Sequence, residues 1–351
     1  MQVSLKTDGI IVGEELKTVA GALDRSERCL ITCHVKPDGD ALGSMLGLAL
    51  ALMDQDKKVT LFSEDTVPET LRFLPGAHHI SQELPARLHG GTTLVVLDCN
   101  EPQRLGRQAR KMITQASTVI ILDHHLFKGD FCLMESGCTR PCFSLIRPDI
   151  FATGAIVFQI LKELQWPVSE EIAMNLYTAI VTDTGSFRHS NTTAHALQTA
   201  GELVSLGARP YLVADNLYQS YPLRRLKLLQ MALSTLELTP DGKIGLLQAT
   251  PEMFQSSGAR ERDTDDFVGY ARCVDTVEVA VFLKEVSSGE VAVSLRSKSY
   301  FNVAEVARHF GGGGHFHAAG FRKKMGLQEV RKTLLDHLTE SFSNMAEKAH
   351  D

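Results

Sequence analysis

The chain has 351 residues. At ~100–200 residues per domain, that predicts two domains or three. Apolar residues make up 44% and charged residues 22%, which excludes wholesale disorder. The net charge of −6 excludes a protein that coats long duplex nucleic acid by bulk charge, yet permits a short polyanion at a local site.

The first half alternates strand and helix signals. Cys29-Leu-Ile-Thr-Cys-His34, Lys58-Val-Thr-Leu-Phe-Ser63, Thr93-Leu-Val-Val-Leu-Asp98 and Thr118-Val-Ile-Ile-Leu-Asp123 read as buried parallel strands. Ala41 to Met53 reads as a helix between the first two. This alternation predicts an α/β fold with a doubly wound, mainly parallel sheet. Helical periodicity follows over 155–164, 170–181, 192–206 and 223–236. A second, smaller α/β unit is expected from strands at 244–250, 277–285 and 291–296 and helices at 303–310 and 327–346. The expected division is a domain over 1–205, a helical linker over 206–240 and a second domain over 241–351.

The N-terminal residues carry no basic stretch leading into an apolar core, and no run approaches ~20 apolar residues. A cytoplasmic protein with no membrane partner is therefore expected, and its seven cysteines fit reduced thiols. Cys132, Cys138 and Cys142 follow no zinc spacing and are expected to be plain loop thiols.

Ligands of such sheets sit beyond the carboxyl ends of strands. There the sequence places His34-Val-Lys-Pro-Asp38-Gly-Asp40, then Asp98, then Asp123-His124-His125; Asp183 ends a later helix. Each fragment has a bland reading: Asp40 before Ala41 could cap a helix, and Pro37-Asp38-Gly39 is a turn. Together they are harder to dismiss. Converging carboxylates repel one another unless a cation joins them. His34, Asp38, Asp40, Asp98, His124 and Asp183 exceed the needs of one ion and suit two, Mn²⁺ foremost with Mg²⁺ or Co²⁺ possible. Two ions ~3.5–4 Å apart can share a hydroxide and clamp a phosphoryl group.

These residues resemble the DHH phosphoesterases. His34 through Ser44 is similar to that family's first motif, Asp98 to the second and Asp123-His124-His125 to the signature third. Thr182-Asp-Thr-Gly-Ser-Phe-Arg188 is similar to the fourth, and Gly312-Gly-Gly-His315…Ala318-Ala-Gly320 to the glycine-rich motif of the DHH-associated C-terminal domain. The resemblance implies an active site in a cleft between two domains. It puts His34 and Asp38 on one metal, Asp40, His124 and Asp183 on a second, and Asp98 on both. Asp123 then orients the histidines and His125 contacts the scissile phosphate. In the substrate-binding domain the resemblance points to Arg296, Ser297, Gly312, Gly313, Gly314 and His315, although a glycine run alone is also a turn. Lys298, beside Ser297, adds positive charge there.

Among such proteins, length and the lack of membrane helices favour the branch that hydrolyses very short oligoribonucleotides, linear dinucleotides and adenosine bisphosphate (pAp). A homodimer is implied as well. Where many relatives have Ser/Thr-Thr-Gly-Glu, this chain has Ala152-Thr153-Gly154-Ala155. The metal set does not need that helix start, and the difference puts its capping role in doubt. Arg188 is a candidate for reaching substrate or a partner copy. His78, His79, His89 and His317 are expected at the surface, and Trp166 in packing. Two other readings are a pyrophosphatase or polyphosphatase, and a nucleotide sensor without catalysis.

Overall fold

Continuous apolar runs favour strands buried on both faces, and the four strongest form the centre of one sheet. The computed structural model describes residues 13–126, 140–286 and 289–348. Its first sheet comprises β1 (Arg28–Cys33), β2 (Lys58–Phe62), β3 (Ile80–Ser81), β4 (Thr92–Leu97), β5 (Thr118–Asp123) and β6 (Cys142–Ile146). The order is β3-β2-β1-β4-β5-β6 and every pairing is parallel. The expected doubly wound sheet is thus present. The short β3 and the half-buried β6 lacked a sequence signal.

Around it lie α1 (Glu14–Asp24), α2 (Gly39–Asp54), α3 (Arg107–Ile113), α4 (Thr153–Glu163), α5 (Glu170–Asp183), α6 (Ala194–Ser205) and α7 (Pro210–Ala214). Ile31, Val95, Ile120 and Leu122 face the core built with α1, α2, α4 and α5. Alternate residues Leu30, Val96 and Ile121 face α3 on the other side. Trp166 packs at the margin of the first core, as expected.

The approach of α2 to α5 sets the site. Gly39, Gly43 and Gly47 recur every fourth residue, on one face of α2. A Cβ on Gly43 would lie 2.4 Å from the Asn175 carbonyl oxygen, and one on Gly39 would lie 2.3 Å from Thr182. This bare seam lets the backbones touch, bringing the first turn of α2 to the last turn of α5. Gly43→Ala is therefore expected to cost ~1–3 kcal/mol through overpacking against rigid backbone. Thermal unfolding measures it, and an unchanged midpoint would mean the seam is not tight.

Met1–Ser220 and Tyr221–Asp351 are two compact units. The stretch 206–240 is divided between them. In the second unit, Leu228 and Ala232 of α8 (Leu223–Leu233) share a core with Phe267 and Phe282. Arg225 on the same helix donates to the carbonyls of Asp263 and Asp265, both at 2.7 Å. The second sheet holds β7 (Glu237–Leu238), β8 (Ile244–Ala249), β9 (Val279–Val286), β10 (Glu290–Ser297), β11 (Gly313–His315) and β12 (Ala318–Lys323). Its order is β11-β12-β10-β9-β8-β7, antiparallel except for β8 with β9.

Cys142 is disulfide-bonded, which corrects the expectation of a plain loop thiol. The spacing argument tested for a metal set, whereas a two-sulfur bond needs no regular spacing. Cys132 and Cys138 lie outside the described residues. Cys29, Cys33 and Cys99 are buried free thiols, and burial pushes Cys29 up to about 11 and Cys99 up to about 12. No helix among the described residues is long and apolar enough to cross a membrane.

Candidate metal centre

In this strand order the chain reverses direction between β1 and β4, which opens a crevice beyond their carboxyl ends. His34 follows β1 and Asp98 follows β4 there. Asp98 holds a left-handed backbone, φ 56°, and is 1% exposed. Asp123 ends β5, with His124 and His125 next. Asp40 comes from the first turn of α2 and Asp183 is the last residue of α5.

The structure brings the six expected ligands together. His34 Nε2 lies 3.4 Å from Asp98 Oδ2 and 3.9 Å from Asp38 Oδ2. His124 Nε2 lies 3.6 Å from Asp98 Oδ1, 3.6 Å from Asp40 Oδ2 and 3.8 Å from Asp183 Oδ2. One oxygen of Asp98 thus faces His34 and the other faces His124. The helix-capping duty weighed for Asp40 falls to Asp38, whose Oδ1 accepts from the Asp40 and Ala41 N–H groups at 3.1 Å.

The two imidazoles fit cations better than they fit the carboxylates alone. His34 Nδ1 lies 2.8 Å from the Val35 carbonyl and His124 Nδ1 3.2 Å from the Ile150 carbonyl. A carbonyl can only accept, so in the neutral ring each Nδ1 carries the proton. Each Nε2 then turns a lone pair toward carboxylate oxygens. Both Nε2 atoms are buried without a hydrogen-bond partner. Lone pair against carboxylate is repulsive until a cation lies between them, and a carbonyl on the far nitrogen is how metal-binding histidines are usually oriented. Ligand atoms fall into sets within 4.8 Å of one another: His34, Asp38 and Asp98; Asp40, His124 and Asp183; and Asp98, His124 and His125.

The charges are correspondingly frustrated. Burial, then Asp98, Asp183 and Asp38, push Asp40 well above the usual carboxylate range. Burial raises Asp183 to about 6 against the pull of His124. Burial also opposes ionisation of Asp98, but the neighbouring imidazoles of His34, His125 and His124 lower it on balance. Cation binding must strip the proton from Asp40 and, below about pH 6, from Asp183. Uptake of Mn²⁺ is therefore expected to release protons and to weaken as pH falls through about 6. Titration calorimetry in buffers of different ionisation enthalpy reads this directly. Equal heats in every buffer would contradict it.

A second layer holds these carboxylates, and sequence reasoning missed most of it. The Thr153 hydroxyl donates to Asp98 Oδ1 at 2.9 Å. The Thr153 and Gly154 N–H groups donate to the two oxygens of Asp40 at 2.7 and 2.9 Å. The α4 start, set aside above as unnecessary, is thus a clamp on two of the six. The Asn191 amide donates to Asp183 Oδ2 at 3.0 Å. Its signal was an Asn soon after an acidic helix end, too common to single out. Asp123 Oδ1 accepts from the N–H groups of His124 and His125 and lies 2.8 Å from His125 Nδ1. Burial disfavours charge on His125, yet Asp123 and Asp98 raise it to about 9.

In the second unit, Arg296 is half-buried and donates to its neighbour's carbonyl, Leu295 O, at 3.0 Å. Ser297 is 1% exposed with its hydroxyl 2.9 Å from His317 Nδ1, so it faces inward rather than toward solvent. The glycines also have packing reasons: a Cβ on Gly312 would meet Gly320 O at 2.2 Å, and one on Gly314 would meet Ala319 Cα at 2.4 Å. Gly313 faces open space. The His315 side chain lies outside the described residues. His317, His78, His79 and His89 are exposed, and Arg188 Nε is turned back onto the Gly185 carbonyl at 2.7 Å.

Residues 28–180 match the DHH family, N-terminal domain, and residues 252–344 match the DHHA1 domain. The chain is 34% identical to the bifunctional oligoribonuclease and PAP phosphatase NrnA of Thermus thermophilus, over 95% of this chain and 94% of that one. The chain belongs to the DHH family. This DHH protein also superposes on an exopolyphosphatase-related protein from Bacteroides fragilis with a TM-score of 0.86 at 26% identity, covering 95% of this chain and 97% of that one. It shares its fold with RecJ of Thermus thermophilus, solved in complex with Mn²⁺, at a TM-score of 0.56 and 15% identity, covering 94% of this chain and 55% of that one.

Proposed function

We propose that this chain is a metal-dependent hydrolase that cleaves short oligoribonucleotides or linear dinucleotides to mononucleotides and converts pAp to AMP. The observation that carries the metal chemistry is the aim of both orphaned Nε2 atoms at the two oxygens of Asp98. The substrate class rests on the likeness to the Thermus oligoribonuclease and PAP phosphatase over nearly the whole of both chains. His34 and Asp38 would hold one divalent cation, Asp40, His124 and Asp183 the other, and Asp98 both; Mn²⁺ suits this mixed imidazole and carboxylate set. Such cations polarise phosphoryl oxygens and lower the pKa of water toward neutrality.

The chain's own residues do the rest. The Asp123 carboxylate beside it favours the charged form of His125. Its Nδ1–H is anchored on Asp123, so the ring is fixed and its other nitrogen can donate to a phosphoryl oxygen as negative charge develops there. In hydrolysis the water oxygen bonds to phosphorus, the bond from phosphorus to the leaving oxygen breaks, and that oxygen takes up a proton. Arg296 is the candidate grip on a second phosphate, where a guanidinium fork suits bidentate binding.

The test is one substrate panel of pAp, a ribodinucleotide, pyrophosphate and polyphosphate, each with Mn²⁺, Mg²⁺ and Co²⁺. Hydrolysis of pAp and the dinucleotide, lost on chelation and restored by Mn²⁺, is expected. Turnover of pyrophosphate or polyphosphate alone would move the protein to the rival substrate class. Tight dinucleotide binding without turnover would make it a sensor.

A further inference from the structure

The far end of the first sheet carries an arrangement that the metal centre does not explain. Strands β1 and β2 run parallel, and Arg28 on one is the register partner of Lys58 on the other. Register partners on neighbouring strands share a face and stand ~4.8 Å apart, and like charges placed so repel. On its other side Arg28 is the partner of Thr92, at the start of β4. Lys58, Arg28 and Thr92 thus form one row at the amino ends of three strands. Leu30, two residues along β1, puts this row on the face that packs against α3.

A small hollow of about 70 Å³ opens over the row. Arg28, Lys58, Thr60, His89 and Thr92 line it beside the apolar Leu88. No carboxylate does: Glu27, Asp56 and Glu83, the acids closest in sequence to Arg28, Lys58 and His89, are absent from its walls. Among the described residues neither Arg28 nor Lys58 has an acidic partner. The wall is fixed. The Thr92 hydroxyl donates to the His89 carbonyl at 2.8 Å, the Leu88 N–H to Gln115 Oε1 at 3.1 Å and the Gly91 N–H to Ser117 Oγ at 3.0 Å. These bonds pin 88–92 to the sheet and to the turn after α3, so the hollow is formed before a ligand enters.

An anion between Arg28 and Lys58 would turn their repulsion into two attractions. Arg supplies a planar fork and Lys a point charge, both suited to phosphate, and the Thr60 hydroxyl can donate as well. The volume suits one tetrahedral oxyanion and falls far below the ~300–1,000 Å³ of sites that enclose a whole small molecule. The length of β1 separates the row from His34, about 20 Å at ~3.3 Å per residue.

We propose that this hollow binds a phosphate oxyanion, either inorganic phosphate or the terminal phosphate of a mononucleotide whose remainder stays in solvent. The site is separate from the metal centre and does not depend on the hydrolase reading.

The test uses the full chain in chelator, with no added metal, and reads the unfolding midpoint as phosphate replaces chloride at constant ionic strength. Phosphate is kept below about 20 mM, because concentrated phosphate stabilises any protein by exclusion from its surface. Wild type should show a saturable rise of ~3 °C or more, the scale of a ligand at ten or more times its Kd. In Arg28→Gln/Lys58→Gln that rise should fall below a quarter, while the midpoint without phosphate stays level or climbs because the repulsion is gone. Arg28→Lys keeps both charges and should keep at least half of the rise. AMP separates the two sources: a lower half-saturating concentration than phosphate means a nucleotide's terminal phosphate, and an equal or higher one means the inorganic ion. An equal rise in wild type and the double Gln variant overturns the site, as does an equal rise with acetate. A lower midpoint of the double variant without phosphate, with the phosphate rise unmoved, makes the two cations structural and also overturns it. Should the double variant fail to fold, Lys58→Gln decides by the same readout, since Lys58 is exposed.

Discussion

Asp98→Asn removes hydrolysis of every substrate by at least ~10³-fold while leaving the protein folded. The expected size comes from the several kcal/mol of charge stabilisation that a divalent cation supplies to a phosphoryl transition state, at about 1.36 kcal/mol per decade. Asn is the right probe because residue 98 sits at φ 56°, where Asn is among the residues that tolerate a left-handed backbone. The amide keeps the shape, and its oxygen can still accept from the Thr153 hydroxyl. What it loses is the charge shared between His34 on one side and His124 on the other. A readout separate from activity is the rise in unfolding temperature that Mn²⁺ induces, since a ligand at ~100 times its Kd adds about 2.7 kcal/mol of stability. Asp98→Asn should lose most of that rise. Full activity with a full Mn²⁺ response would remove Asp98 from its central place.

The same residue marks the limit of what the sequence made legible. Parallel buried strands leave long apolar runs, so β1, β2, β4 and β5 could be read within a residue or so of their ends. The polar residue that follows each run at the crevice could be read with them. The neighbours that hold those residues could not. Thr153 reaches Asp98 across 55 positions and Asp40 across 113, and no local pattern encodes such distances. The Gly39, Gly43 and Gly47 seam was visible as a four-residue spacing. Its meaning needed the partner helix, because a bare helix face says only that something approaches closely. Ser297, which the resemblance pointed to as a substrate contact, is buried by strand alternation with its hydroxyl on His317, a partner that its sequence neighbours do not reveal. Only parallel pairing sets Arg28 beside Lys58, and their charges are averaged away in a chain whose sum is −6.

Thr153→Val should lower metal affinity by ~10–100-fold, the usual effect of removing a partner that orients a ligand. Val matches Thr in shape, Thr153 is fully buried, and its backbone N–H continues to hold Asp40. Only the hydroxyl donor to Asp98 Oδ1 disappears. That oxygen then faces His124 and His125 without the bond that fixes its direction, so the carboxylate can swing between the two sides of the site. The measurement is Mn²⁺ binding by calorimetry or by electron paramagnetic resonance of the free ion, followed by kcat at saturating Mn²⁺. A weaker Kd with kcat largely recovered at high Mn²⁺ separates a positioning role from a catalytic one. Thr153→Ser restores the donor and should return the affinity to within a few-fold of wild type. A purely structural role predicts a different ordering, in which the Ser variant suffers from its missing methyl in a packed core and Val does not. Val weak and Ser near normal is therefore the pattern expected of a hydroxyl that aims the carboxylate.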